Sequence, residues 1–385
     1  MQTRAIHNEI SDLLTKYPAV ALIGPRSSGK TTLARLFSDR HFDLERRGED
    51  LKVDLQWEEI TESWDPVILD EAQEYPYVFS RLRGAIDADR KRYGRFLLPC
   101  SAVSPHLIKR VPQSLAGRLA VVELTPLLLE EVGAEKVNDL WLYGGYPEGG
   151  ILQNGGYPGW QRNYLGLMAQ RDLPKWGLPA NRRMTEKLFS LLAADNGREW
   201  NASETGKRLG VSYHTANSYL LYLEGAFLIR RLQPFYTGTG KRLSKRSKVY
   251  WRDSGLLHSL LKTGGFDELV GHSAAGASWE GFVIEQILGA LNTAGVSHDA
   301  FHLRADNKRK INLILQFGKE LWAVNTKLTT SPSPEDLNLL DKTADLINAD
   351  KRILITQHRE FIEGEGKVVC DLSGFLGYVK KVFDG

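Results

Sequence analysis

Apolar positions along this chain follow two rhythms. Short unbroken runs, AVALI (Ala19–Ile23), VIL (Val67–Leu69), RFLLPCS (Arg95–Ser101) and RLAVVEL (Arg118–Leu124), have the length of strands buried on both faces, and HFDLE (His41–Glu45) adds another. After the first run, TTLARLFSDR (Thr31–Arg40) places Leu33, Leu36 and Phe37 at helical spacing. Strands alternating with helices predict an α/β fold with a parallel sheet in the first third of the chain. From about Val132 the rhythm breaks at GGYPEGG and QNGGYPG, and WQRNYLGLMAQRDL (Trp160–Leu173) then returns to amphipathic helical spacing. The stretch from Asn201 to Phe235 predicts two helices around a turn. Ser203 caps the first, Gly210 lies in the turn, and Ser212 caps a second whose inward face is Tyr219, Leu220 and Leu223. Near the end, SWEGFVIEQILGALNTAG predicts a long helix, and INLILQFGKELWAVNTK two strands joined at Phe317–Lys319.

The 385 residues exceed what one hydrophobic core usually organises, so two or three domains are expected. Hydrophobic content of 42% and charged content of 25% are those of an ordinary globular protein. A net charge of +3 gives no global field, so any nucleic-acid site has to be a local patch. No apolar run approaches the length of a membrane span, and the first residues lack the apolar centre of a signal peptide. Cys100 and Cys370 are too few for a disulfide framework or a cysteine zinc site. A cytoplasmic protein with no membrane partner is the expectation.

Chemistry concentrates first in LIGPRSSGKTT (Leu22–Thr32). Gly24, Gly29, Lys30 and Thr31 fit G-x-x-x-x-G-K-[ST], with a predicted strand before and a helix after. Backbone N–H groups of Gly24, Pro25, Arg26, Ser27, Ser28, Gly29, Lys30, Thr31 and Thr32, Pro25 excepted for want of the hydrogen, would surround a nucleotide's phosphates. Lys30 would neutralise the β- and γ-phosphates, and the Thr31 hydroxyl would ligate Mg2+. PVILDEAQ (Pro66–Gln73) then delivers Asp70 and Glu71 to a strand's C-terminal end, Asp70 for the metal and Glu71 to activate the attacking water. No guanine-reading Asn-Lys-x-Asp follows, so ATP is expected over GTP. Ser101 ends a strand, where its hydroxyl could sense a γ-phosphate or merely cap a turn. Arg118, in SLAGR, is a candidate arginine finger reaching a neighbouring subunit's ATP, which would make the active form a homo-oligomer.

GPRSSGKTT, VILDEAQEYP, FLLPCSA, SLAGR and GGYPE, in that order, resemble the AAA+-type ATPases of bacteria and archaea that carry an uncharacterised C-terminal domain. The resemblance continues through RDL (Arg171–Leu173) to KVYWRDSGLL and SWEGFVIEQI. It implies a P-loop core with a five-stranded sheet (1–131), a helical segment (132–183), a winged helix (184–252) and a restriction-nuclease-like domain (253–385). One departure stands at the sensor strand, where such proteins tend to have Thr-Gly-Ser and this chain has Pro99, Cys100 and Ser101.

Tyr213, His214 and Asn217 would lie on the outer face of the second helix of the pair, and Lys241, Arg242, Lys245, Arg246 and Lys248 form a basic cluster fit for DNA phosphates. A protein-contact module with a solvated basic loop is the alternative. Restriction-type nucleases place an aspartate on the first strand of such a pair and a Glu-x-Lys on the second, and the two acids hold magnesium. Here Asn312 and Asn325 stand at the acidic positions, leaving Lys327 and Glu280, with Lys310 two residues before Asn312 on the same strand face. The whole chain then reads as an ATPase whose nucleotide state governs engagement of double-stranded DNA. A signalling ATPase holding protein partners is the rival, and an ATP-dependent nuclease a third reading that the two asparagines oppose.

Overall fold

The unbroken apolar runs become strands because each is covered on both sides. In the computed structural model, which describes residues 4–101, 115–236, 245–306 and 309–383, β1 (Ala19–Ile23), β2 (His41–Asp43), β3 (Val67–Asp70), β4 (Phe96–Cys100) and β5 (Leu119–Glu123) form one parallel sheet in the order β2-β3-β4-β1-β5. Alternate residues of β1 serve two cores: Ala19 and Ala21 pack with Leu69, Phe96 and Leu98, while Val20 and Leu22 pack with Ile10, Leu33 and Leu97 on the opposite face. Burial on both faces is what an all-parallel sheet requires, and it explains the lack of polar alternation. One strand, β4, separates β1 from β3, so the loops after β1 and β3 open above a shared cleft.

Pro99 sits in β4 opposite Leu22 of β1, and it is tolerated there for a local reason. The β3–β4 ladder ends at Ile68–Leu97, so the flank where Pro99 lacks an N–H carries no further ladder bond. Its carbonyl on that flank accepts from the Glu71 N–H at 2.8 Å.

Beyond β5 the chain is helical to Gly225. The amphipathic stretch predicted over 160–173 is an α-helix, Gly159–Leu167, followed by a π-helical turn, Met168–Asp172. The two helices around the turn are Ala202–Leu209 and Tyr213–Gly225, with Gly210 left-handed (φ 78°) between them. Ser212 caps the second as expected, but the first is capped by Asn201, whose side chain accepts from Glu204 N, and not by Ser203. The cap lies two residues earlier because the Asn201 side chain takes up the Glu204 N–H, which places Ser203 inside the first turn.

The hairpin β6 (Ile229–Pro234) and β7 (Lys248–Trp251) then leads into β8 (Asp299–Arg304), β9 (Lys310–Phe317), β10 (Glu320–Thr326), β11 (Lys351–Thr356), β12 (Ile362–Gly364) and β13 (Lys367–Asp371). All eight belong to one mixed sheet, ordered β12-β13-β11-β10-β9-β8-β6-β7, because β6 pairs in parallel with β8. Packing is therefore continuous across residues 252 and 253. The long helix Ala275–Thr293 and the helix Leu372–Phe383 cover one face of this sheet, and Pro334–Ala344 covers the other. No described helix is long and apolar enough to cross a membrane.

Candidate active site

At the end of β1, Gly24 turns with φ 155°, and a Cβ there would lie 2.2 Å from the Leu124 carbonyl oxygen, so only glycine lets the loop pass β5. Ser27 (φ 64°) and Gly29 (φ 95°) are also left-handed, and Gly29 caps the helix Lys30–Ala34. Arg4 fastens this loop from outside: its guanidinium donates to Ser28 O (2.8 Å), Thr125 O (2.7 Å) and Glu131 Oε1 (2.8 Å). Pro25 and Ser28 are buried while Ser27 and Thr32 are exposed. The Ser28 hydroxyl is a buried polar atom with no partner inside the protein.

Lys30 is buried, and its ammonium donates to the carbonyls of Gly24 (3.0 Å) and Pro25 (2.7 Å). Burial pulls its pKa down to about 8, although Glu71 and Asp70 nearby favour the charge. An anionic ligand would repay that desolvation. Across the cleft, Asp70 Oδ2 accepts from the Thr31 hydroxyl at 2.6 Å. A magnesium ion with ligands at 2.0–2.1 Å in octahedral array keeps neighbouring oxygens about 2.9 Å apart, so a small separation of this pair admits the ion. The oxygen ligands, the buried lysine and the glycine turn together fit a magnesium-bound nucleotide.

Glu71 is left-handed (φ 52°, ψ 43°), which swings its side chain back toward β4. Ser101 donates to both its oxygens, through the hydroxyl to Oε1 and the backbone N–H to Oε2 at 3.2 Å. Ser101 thus touches the proposed base directly. Beside it, burial pushes the Cys100 thiol up to about 12, which disfavours the thiolate. Arg118 lies apart: its guanidinium makes a two-pronged pair with Asp87 in the last turn of the helix Tyr77–Ala88 (2.8 and 3.0 Å).

Three contacts here have no counterpart in the sequence reading. His41 Nε2 meets Asp70 Oδ2 at 3.0 Å, Gln73 Nε2 donates to Glu71 Oε2, and Arg26 of the loop lies 3.6 Å from Asp172. Asp172 is buried and also accepts from Arg171 at 2.8 Å, so its carboxylate lies between the exposed Arg171 and Arg26 of the loop. Lys175, just after it, pairs with Glu45 (3.1 Å) and Glu74 (3.0 Å), and Arg26 pairs with Glu45 (3.1 Å). The π-helical segment therefore closes one side of the cleft through ions. No spacing rule reveals these pairs; RDL stands out in the sequence only as one of the motifs that carry the resemblance.

The GGYPE and YWRDSGLL motifs lock together. Asp253 accepts from the N–H groups of Gly145 (2.8 Å) and Leu256 (2.9 Å), a Cβ on Gly144 would clash with its carboxylate at 2.3 Å, and one on Gly255 would clash with Tyr143 O at 2.0 Å. Burial pushes Asp253 up to about 6. From the same motif, the Tyr146 hydroxyl bonds Tyr164 (3.2 Å), which reaches Arg26 O (3.3 Å). On the far side of β5, Arg252 bonds Glu123 and Glu285, and Arg230 also bonds Glu285. The Tyr146–Tyr164 pair thus reaches the phosphate loop, while Arg252 ties β5 to the long helix Ala275–Thr293.

Of the DNA-contact candidates, Tyr213, His214 and Asn217 are exposed together on one helix face, where Asn217 accepts from Trp200 Nε1 at 2.7 Å. Lys245 and Arg246 are exposed, and Lys241 and Arg242 lie outside the described residues. Lys248 is a correction. It is 6% exposed, in β7, with its ammonium 2.7 Å from Glu280 of the long helix, so it is an internal counter-ion and not part of a surface cluster. Glu280 in turn accepts from Tyr250 (2.5 Å); burial would raise its carboxyl, but Lys248 and Lys310 outweigh that and hold it below the usual carboxylate range. It does not stand opposite Lys327, whose ammonium pairs with Asp336.

Asn312 and Asn325 do meet. Asn312 N donates to Asn325 Oδ1 (2.9 Å), and Asn312 Oδ1 accepts from Thr326 N (3.0 Å). The two amides take over where the β9–β10 ladder stops at Leu313–Val324. Among the described residues no group of three or more His, Cys, Asp or Glu side chains could hold a metal ion.

Residues 16–133 match the AAA domain family, residues 134–267 a domain of unknown function (DUF8612), and residues 275–375 another (DUF4143). An uncharacterised protein of Mycobacterium tuberculosis is 32% identical over 328 residues, covering 83% of this chain and 72% of its own, and one of Mycobacterium bovis is similar to the same extent. Among solved structures, the Walker-type ATPase of Pyrococcus abyssi aligns with 68% of this chain and 96% of its own at 15% identity and a TM-score of 0.46. At 32% identity along most of both chains, this protein belongs to the family of the two mycobacterial proteins, as a P-loop ATPase whose AAA domain precedes two domains of unknown function.

Proposed function

We propose that the protein hydrolyses Mg-ATP and passes its nucleotide state to a C-terminal body that engages duplex DNA. The observation carrying the ATPase half is the convergence of Lys30, Thr31, Asp70 and Glu71 on one cleft. Lys30 would bind the β- and γ-phosphates, Thr31 and Asp70 would hold magnesium, and Glu71 would take the proton of the attacking water. The metal supplies charge neutralisation on the phosphates. ATP is favoured over GTP by the absence of a guanine-reading motif.

For the C-terminal half, the helix pair followed by a hairpin supports a winged-helix reading. Tyr213, His214 and Asn217 would face the major groove, with Lys245 and Arg246 on the backbone. With Lys248 buried, those two described cations predict a slope of log affinity against log salt near −2, since each phosphate contact releases about 0.9 counterion. The asparagine pair, tied to strand backbone, supports a holding module over a nuclease. A protein partner is the second reading, favoured by the Trp200–Asn217 bond, which commits one of the three groove-facing side chains internally. An ATPase rate raised by duplex DNA, together with the salt slope, supports the first; a rate indifferent to DNA and binding indifferent to salt supports the second. A homo-oligomer with Arg118 acting between subunits would require release of Arg118 from Asp87. Asp87→Asn should then raise turnover, whereas Arg118→Ala with unaltered turnover would remove the finger.

A further inference from the structure

Glu71 carries more donors than a proton-abstracting carboxylate needs. Ser101 supplies two, and Gln73 Nε2 supplies a third from two residues away. The reach is possible because left-handed Glu71 leads into a tight turn over Ala72–Glu74, which folds the Gln73 side chain back over it. A carboxylate offers about four acceptor positions, so one remains open.

The other end of the Gln73 amide matters as much. Its orientation is fixed by chemistry, since an ionised carboxylate can only accept and the NH2 must face Glu71. The carbonyl oxygen therefore points away from Glu71, and it is a buried acceptor with no partner, on a side chain only 7% exposed. An unpaired buried acceptor normally costs stability and calls for a reason.

We propose that Gln73 holds the attacking water together with Glu71, one proton of that water lying on the Gln73 carbonyl oxygen and the other on the open position of Glu71. This inference rests on the ATPase reading. Two fixed acceptors orient the water so that its lone pair faces the γ-phosphorus. Glu71 takes one proton as the water oxygen bonds phosphorus, and the bond from phosphorus to the ADP oxygen breaks with its electron pair remaining on ADP. The Glu71 proton then passes to the phosphate product. Ser101 and the Gln73 NH2 only hold Glu71 in place; the Gln73 oxygen touches the reacting molecule.

The test compares the full-length parent with Gln73→Met, Glu71→Gln and the double variant, in Mg-ATP, by single-turnover hydrolysis and by direct titration with a fluorescent ATP analogue. Methionine keeps the buried volume and removes both polar functions. Gln73→Met should bind the analogue within about twofold of the parent and lose roughly tenfold or more in rate, the scale of one positioned group in proton-transfer catalysis. Because both residues act on one water, the double variant should be no slower than Glu71→Gln alone. A parental rate in Gln73→Met, a loss confined to affinity, or losses that multiply in the double variant would each overturn the proposal. A parent that turns over no ATP would overturn the ATPase reading itself, which separates the two failures.

Discussion

The phosphate loop and the β9–β10 strand pair present similar inventories, side-chain oxygens near a lysine, and differ in what those groups already do. In the loop the polar groups are left wanting: Lys30 is buried against carbonyls with its pKa lowered, and the Ser28 hydroxyl and Gln73 oxygen have no partner. In the strand pair the amide oxygens of Asn312 and Asn325 accept from the backbone of each other's strand and Lys327 is neutralised by Asp336, although Asn312 Nδ2 and the Thr326 hydroxyl also lack a partner. What separates the two is the cation and the acceptors: the loop buries an ammonium bonded to backbone carbonyls, whereas the strand pair's lysine is paired with a carboxylate and its amide oxygens are taken by backbone. The same resemblance reaches both regions, so this difference, and not the resemblance, separates reaction chemistry from scaffold.

The largest expected effect breaks the first side of that comparison. Lys30→Met removes a desolvated cation, so ATP-analogue affinity should fall by about 2–5 kcal/mol, roughly thirtyfold or more, the range for truncating one partner of a buried charge pair. The same variant should melt no lower than the parent without nucleotide, because the group lost is one the fold pays to bury. A clearly lowered melting temperature would make Lys30 a structural residue and erase the contrast.

Most of the loop was legible because phosphate chemistry needs contiguous residues. Gly24 to Thr32 and Asp70–Glu71 announce themselves by spacing, and the strands of the first sheet by their apolar runs, but neither gives the order β2-β3-β4-β1-β5. His41, Asp172 and the Gln73 clasp were not legible as contacts, since they depend on which strand lies beside which and on the left-handed turn at Glu71. Lys248 was misread for a related reason. A basic cluster gives charge but not facing, and the carboxylate that claims Lys248 lies in a helix 32 residues on. Asn312 and Asn325 were legible as missing acids, while their shared role in closing the ladder required the register of β9 and β10.

A second, smaller effect tests a closed polar site away from the strand pair. His258 Nδ1 lies 3.0 Å from Leu142 O, and Nε2 lies 2.6 Å from Ser278 Oγ, which also accepts from Trp141 Nε1. The neutral ring donates from Nδ1 and accepts at Nε2 from the Ser278 hydroxyl, so protonation would reverse that bond and bury a positive charge. Burial pulls His258 down to about 4, and burial with Lys248 nearby does the same for His302. The unfolded chain, with histidines near pH 6.5, binds protons first as acid is added. Stability is therefore full above about pH 6.5 and declines toward pH 4, by roughly 3 kcal/mol for His258. Asp253, raised to about 6, works oppositely over the window between its unfolded and folded values and offsets part of the loss. Melting temperature against pH should fall most steeply below 6.5 in the parent and less so in His258→Gln. Equal slopes would remove His258 as the cause.

The smallest effect tests whether the strand pair is closed by its amides. Asn325→Ala takes away the acceptor for Asn312 N, a part-buried donor at 2.9 Å, and leaves it facing no oxygen of that side chain. An orphaned donor of this kind costs about 1–3 kcal/mol. Asn325→Asp keeps the acceptor and gives up only the longer bond from Nδ2 to Lys310 O at 3.3 Å, where two oxygens would then oppose each other. It should cost less than the alanine change, and Lys310 supplies a nearby positive charge to offset the new carboxylate. Neither change should alter ATP-analogue affinity, because the clasp lies outside the nucleotide cleft. Placing Asn312→Asp with Asn325→Glu should create a manganese-binding signal absent from the parent, readable by electron paramagnetic resonance whether or not plasmid is cut. If the parent itself binds manganese at this end, or cleaves plasmid DNA in a manner lost with Lys327→Ala, then the amides do not close the site and the two regions are alike after all.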